Sequence, residues 1–285
     1  MQDMKKNLVF IFILSIYLAG CNLPTGYSLS TDSPTLSTAE TPGWSDLITQ
    51  EEITSDTPIV QKPVYQKAFE IDYTSPDQYL KQGEQTIITD PSGLDPLRGQ
   101  AKGINHLSFI YDWLHTEFTN IRAKGATIGE VTVNQLLSDR KLGGCHDYGL
   151  VFAAAVRELG YPAVMIDSYS IAWIEQFQMG KGEMHIGHVF VEVYLVDQWV
   201  LVDPTNGWYV ETGYDPSNPV IPLKGPIAGS SKEIFGFYID LKGLDTWDYG
   251  VYSNTELTEA MDQLAGELTI NTISYPSYQF HNFRD

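Results

Sequence analysis

Apolar residues recur at helical spacing from Ile104 to Ile121, where Ile104, Leu107, Tyr111, Leu114, Phe118 and Ile121 step by three or four and share one face. The pattern predicts a helix. A short second helix is expected over Val133–Arg140, because Thr132 precedes it and Gln135 stands three residues on, the spacing of a capping box. Gly143-Gly144 interrupts the pattern. Cys145–Leu159 then reads as a helix, with Ala153-Ala154-Ala155 small enough for close packing and Gly160 placed to end it. Tyr161–Ser168 reads as a strand. Residues 169–187 show no clear period and contain Gly180 and Gly182, so a loop long enough to cover a site is expected there. His188–Val196 and Trp199–Asp203, rich in Val, Tyr and Trp, predict a hairpin. A Gly/Pro loop over 211–231, a strand at Phe235–Leu241 and a helix at Thr255–Ala265 follow. The aromatic tail Ser274–Asp285 fits neither period.

The first 62 residues belong to a different regime. Lys5-Lys6, the apolar run Leu8–Ala19 and the sequence Leu18-Ala19-Gly20-Cys21 have the pattern of a bacterial lipoprotein signal. The run is shorter than the roughly 20 residues a bilayer span needs, so a processed leader is favoured over a retained signal anchor with an unmodified Cys21. Residues 21–62 are rich in Ser, Thr, Pro and acid and have no apolar period, the composition of a disordered stalk. A coil of about 40 residues averages on the order of 35 Å between its ends. The expected organisation is therefore a signal peptide at 1–20, a stalk at 21–62 and a folded domain at 63–285. That domain divides into a motif core over 104–206 and a C-terminal extension over 211–285. The expected location is the extracytoplasmic face of the cell membrane, with lipid on Cys21 as tether.

Charge narrows the partners. The chain of 285 residues carries a formal charge of −19, and removing the leader with Lys5, Lys6 and Asp3 leaves 15 basic and 35 acidic side chains, a charge of −20. Nucleic acid and electrostatic attachment to anionic lipid both require basic patches and are excluded on this ground.

The candidate chemistry begins with cysteine arithmetic. There are two cysteines, and if Cys21 carries lipid, Cys145 has no partner for an intrachain disulfide. At a helix start its sulfur meets the positive end of the dipole, which favours the thiolate, the nucleophilic form. The glycines before it allow a substrate carbonyl to approach the backbone, where the Cys145 N–H can help hold an oxyanion. His188 is the candidate base. Side-chain alternation puts it on one face with Phe190, Glu192 and Tyr194. Asp203 shares that face, and the hairpin turn decides whether it reaches. A two-residue turn at Asp197-Gln198 sets Asp203 opposite Glu192, about 13 Å along the strand from His188. A four-residue loop over Leu195–Gln198 sets it opposite Phe190, diagonal to His188. A His188–Asp203 pair therefore predicts the wider loop, or a bulge.

The motifs Gly-x-Cys145 at a helix start, Leu159-Gly160-Tyr161-Pro162-Ala163, His188-x-Phe190-x-Glu192-Val193-Tyr194 and Trp199-Val200-x-Val202-Asp203-Pro204-Thr205 resemble the transglutaminase-like superfamily of papain-type cysteine enzymes over roughly Ile104 to Asn206. The resemblance implies an α+β fold with the cysteine helix packed on an antiparallel sheet. It also implies a Cys145–His188–Asp203 triad that performs acyl transfer or hydrolysis at the amide of a protein or peptide, through a thioacyl intermediate. Phe190 stands where tryptophan is common. Trp113 and Trp173 are the upstream tryptophans nearest a possible oxyanion role, which no motif assigns.

Plainer readings stand beside these. Cys145 alone reads as a small buried hydrophobe, His188 as a packed strand residue and Asp203 before Pro204 as a turn former. His185 and His188, three apart, are compatible with a metal pair, but no second cysteine is available, and no Asp-rich calcium loop occurs, so neither metal nor cofactor is expected. His146 points about 100° from Cys145 on a helix and is expected in solvent. Asp147 is expected to complement the helix dipole, and Glu192 either to bind a basic residue or, the preferred reading, to lie at the sheet edge. The rival functions are a non-catalytic surface module of the same fold that binds peptide or cell-wall material, and a cysteine peptidase of different chain order.

Overall fold

From Cys145 to Arg157 every residue is buried, so the cysteine helix is enclosed on all sides rather than laid on a surface. The surrounding structure is a computed structural model that describes residues 70–121, 127–181, 184–224 and 234–285. The leader, Cys21 and the stalk expected over 21–62 lie outside the described residues. No helix among the described residues is long and apolar enough to cross a membrane.

In chain order the elements are α1 Ile104–Glu117, β1 Thr119–Asn120, α2 Val133–Asp139, β2 Lys141–Leu142, α3 Cys145–Glu158, β3 Ala163–Ser170, α4 Ile171–Gln178, β4 Gly187–Leu195, β5 Gln198–Asp203, β6 Trp208–Val210, β7 Val220–Lys224, β8 Ile234–Gly243, α5 Asn254–Glu267 and β9 His281–Asn282. The fold is α+β. Seven strands form one antiparallel sheet in the order β7-β8-β3-β4-β5-β6-β9, while β1 and β2 make a separate parallel pair. Pro222 is tolerated in β7 because that strand is an edge, and the opposite edge, β9, is only two residues long.

Local signals account for most boundaries. Thr132 and Gln135 close both halves of the capping box of α2. Gly160, at φ 85°, takes the left-handed conformation that ends α3. The loop expected over 169–187 instead contains α4. Ser170 caps it by accepting from the Trp173 N–H, Ile171, Trp173 and Ile174 are buried, and Gly180 follows at φ 70°. With only two turns, α4 has too little length for a period to emerge from the sequence. The loop expected over 211–231 likewise contains β7, and part of the tail is recruited as β9.

The sheet separates two cores by alternation. Val189, Val191, Val193, Val200, Val202 and Met165 face α1, α2 and α3. Phe190, Trp199, Leu201, Val164 and Ile166 face the other way, under Ile71, Tyr73 and Tyr79. A third cluster joins α4 and α5 to Tyr169, Leu241 and Tyr249. Helix α3 meets the sheet most closely at Gly149, where an added Cβ would stand 2.4 Å from Val189 Cγ1.

The second face holds a buried ion pair. Glu192, expected at the sheet edge, is fully buried because β4 is an interior strand covered on both faces. Lys242 Nζ of β8 donates to Glu192 Oε1 at 2.6 Å, to Tyr73 Oη at 2.5 Å and to the Pro216 carbonyl at 2.9 Å. Tyr73 and Tyr214 donate their hydroxyls to Glu192 at 2.8 and 2.6 Å. Burial pushes the Lys242 ammonium down from its ordinary range, against the opposing pull of Glu192.

Two stability measurements test this description. Gly149→Ala recovers about 1 kcal/mol of helix propensity but overpacks the α3–β4 contact, for a net loss of about 1–2 kcal/mol in denaturant unfolding. Val189→Ala in the same chain relieves the clash, so the double variant loses less than the two single losses together. Glu192→Gln or Lys242→Met strands one buried charge and costs about 3–5 kcal/mol, whereas replacing both with apolar residues costs far less.

Candidate active site

Cys145 occupies the first helical position of α3, behind Gly144, which has no side chain to cap the helix. Asp147 does more than complement the dipole. Its Oδ2 accepts the Gly143 N–H at 2.5 Å, which ties down the two-glycine turn from inside the first helical turn. The cysteine is a buried thiol, 5% exposed.

The β4–β5 hairpin is closed by Val196-Asp197, both at positive φ (47° and 66°), the backbone of a two-residue type I′ turn. The wider loop is therefore not present. The turn nevertheless lies one residue earlier than Asp197-Gln198, and that single step gives the register the wider loop was expected to supply. The ladder runs from Leu195–Gln198 to Val191–Val202, and continuing it places Asp203 across from Phe190. His188 Nε2 stands 3.0 Å from Asp203 Oδ2.

Each partner is also held by other groups. The His188 ring lies edge-on to Phe190 at 4.8 Å between centroids and tilted against Phe237 at 5.7 Å, so two phenylalanines pack the imidazole. Ser168 Oγ of β3 donates to the His188 carbonyl at 2.8 Å. Asp203 both forms the turn and faces the histidine. Its Oδ1 accepts the N–H groups of Thr205 and Asn206 at 3.0 Å, and its Oδ2 accepts Asn206 Nδ2 at 2.8 Å. Burial pushes the Asp203 carboxyl up, but attraction to His188 and the hydrogen bonds from Asn206 outweigh it and hold the group below the ordinary carboxylate range. His115 of α1, stacked on Tyr148 of α3 at 4.9 Å, has Nε2 2.9 Å from the Pro204 carbonyl and so braces the chain just past Asp203.

Cys145 is placed relative to His188 by packing. Gly149, one helical turn after Cys145, rests on Val189, the neighbour of His188, and His146 lines one cleft with Gly187, so the start of α3 lies at the Gly187–His188 end of β4. His146 is not in solvent. Because α3 is enclosed all round, the direction 100° from Cys145 is also interior, and His146 is 5% exposed with Nε2 2.7 Å from Asp167 Oδ1. His185 and His188 turn to different carboxylates, His185 to Asp262 at 2.8 Å and His188 to Asp203. Trp113 packs against Phe118 and Trp173 against Phe177 and His185, and neither is assigned a role at the thiol. His115, Asp167 and Asn206 are site-region residues that sequence reasoning did not single out, while His146 was expected in solvent and is buried beside them. Asn206 alone carried a signal, as the neighbour of Asp203-Pro204-Thr205.

Residues 95–204 match the family model of the transglutaminase-like superfamily, and this part of the chain belongs to that superfamily. The superfamily includes cysteine-dependent proteases and acyltransferases. Among solved structures, the chain is similar to a candidate cysteine protease from Cytophaga hutchinsonii at 16% identity and a TM-score of 0.42, covering 65% of this chain and 53% of that one. It is also similar to a TGase at 13% identity and a TM-score of 0.30, covering 47% of this chain and 32% of that one. The chain thus spans about half the length of the first and a third of the second. No curated protein sequence matches it.

The depressed Asp203 carboxyl has a measurable consequence. Its contribution to stability is present above the ordinary carboxylate pKa of about 3.9 and is lost as pH falls through the lower folded value. Asp203→Asn should therefore cost about 1–3 kcal/mol at pH 6, and that difference should shrink as pH is lowered toward 3 in denaturant unfolding.

Proposed function

We propose that this chain is a cysteine enzyme acting on amide bonds of a protein or peptide, possessing a Cys145–His188–Asp203 triad and held at the extracytoplasmic face of the cell membrane by lipid on Cys21. The observation that carries the chemistry is the 3.0 Å contact of His188 Nε2 with Asp203 Oδ2 at the strand end where α3 begins with Cys145. The location is carried by the Leu18-Ala19-Gly20-Cys21 sequence alone.

In this reading Asp203 orients His188 and stabilises its imidazolium, as a carboxylate on the far ring nitrogen does in triads generally. The Cys145 proton passes to His188. The thiolate then attacks the carbonyl carbon, the S–C bond forms, and the charge on oxygen meets the N–H groups at the start of α3. The C–N bond breaks as His188 returns the proton to the departing amine, leaving a thioester. Water or an amine then attacks the thioester, gives up a proton to His188 and releases the thiolate. Water gives hydrolysis and an amine gives transamidation. One observation favours the rival, a surface module that binds without reacting: Cys145 is only 5% exposed, so substrate must reach it through a narrow approach.

Intact-mass analysis after incubation with a Gln-containing peptide, with and without an added amine, decides between them. The expected result is a thioester adduct or a product changed by hydrolysis or amine incorporation, lost by at least a thousandfold in Cys145→Ala. Identical spectra for the parent and Cys145→Ala under both conditions would sink the enzyme reading.

A further inference from the structure

His146 follows the candidate nucleophile and has the surroundings of a held charge. Its Nδ1 lies 3.9 Å from Cys145 Sγ, while its Nε2 faces Asp167 Oδ1 at 2.7 Å. Asp167 is 1% exposed and accepts the Tyr249 hydroxyl at its other oxygen. A neutral imidazole donates from one nitrogen only, whereas an imidazolium donates from both. A carboxylate in contact favours the charged ring, and a carboxylate buried this deeply requires a partner of opposite sign.

The backbone is arranged for this contact. Asp167 lies directly across from Val189 in the β3–β4 ladder, on the sheet face that receives α3. The β3–β8 ladder shifts register between Asp167 and Ser168, the kind of irregularity that re-aims a side chain. The other titratable groups around His146 have partners of their own. Tyr169 of β3 and His185 before β4 line, with His146 and Asp167, a small cleft of about 30 Å³. His185 is paired with Asp262 of α5, Asp147 with the Gly143 N–H, and His188 with Asp203.

We propose that His146, held as an imidazolium by Asp167, is a positioning residue that favours the thiolate form of Cys145 from the α3 face of the sheet and leaves His188 to move the protons. This deepens the cysteine-enzyme reading and rests on it. The proton lost by Cys145 goes to His188, and His146 keeps both of its own. The two imidazoles thus divide the work. One is a fixed charge beside the sulfur, and the other exchanges protons with substrate.

The test is the pH dependence of Cys145 alkylation by iodoacetamide in the full chain. The parent should show a thiolate well below the ordinary thiol value of about 8.5. His146→Asn and Asp167→Asn should each lower the rate at pH 6 about tenfold while leaving the alkaline plateau unchanged. His188→Asn should lose peptide turnover yet alkylate at pH 6 faster than His146→Asn. A His146→Asn profile that superimposes on the parent's overturns the proposal, while a parent that titrates as an ordinary thiol overturns the enzyme reading and this one together. Because His146 is buried, a second measurement uses the parent alone. The 15N shifts of the His146 ring at pH 7 should be those of an imidazolium, and a neutral ring overturns the proposal.

Discussion

The rest of the molecule depends on how closely α3 can lie against β4. At Gly149 there is no room for a Cβ, because Val189 Cγ1 already stands where one would press. That contact fixes the height of the helix over the sheet, and so fixes where its first residue ends up. Interiors are packed too densely to absorb even one extra methyl group without displacement. Cys145 is therefore located by a packing constraint four residues away, and the three alanines of the same helix serve the same closeness to its other neighbours.

The sheet sorts its side chains by parity. Odd-numbered residues of β4 support the helix, and even-numbered ones form the opposite core. His188 and Asp203 are both on the second face, while Cys145, His146 and Asp167 belong to the first. The chemistry gathers where β4 begins and β5 ends, past the last rung of their shared ladder at Val191–Val202. A strand end is the place where groups from the two faces can approach one another without a sheet between them.

What was legible in the sequence was local. The capping box at Thr132, the stop at Gly160 and the apolar stripe of α1 are signals within a few residues, and each set an element boundary within a few positions. The relation of His188 to Asp203 was legible only as a conditional, since register follows from the turn, and Val196-Asp197 lacks the glycine that announces a type I′ turn. A β-branched residue at positive φ is rare enough that no propensity argument would choose it. The misplacements share a different cause. A local pattern predicts one dry face for a helix or a strand, which places His146 in solvent and Glu192 at the sheet edge, whereas α3 and β4 are dry on both faces. Burial on the second side comes from distant residues such as Tyr73, Lys242 and Asp167, and no local pattern carries that information. Helix α4, at eight residues, is too short for its period to show in the sequence.

The buried knot of Tyr73, Glu192 and Lys242 also has a mechanical meaning. Tyr73 is gripped by the Glu192 carboxylate and the Lys242 ammonium, with Trp199 Nε1 donating to its carbonyl at 3.4 Å. A force applied at Tyr73 is delivered through Glu192 to the middle of β4, four residues from His188, and is shared through Lys242 with β8. The strand that carries the candidate base is thus the strand that takes the load.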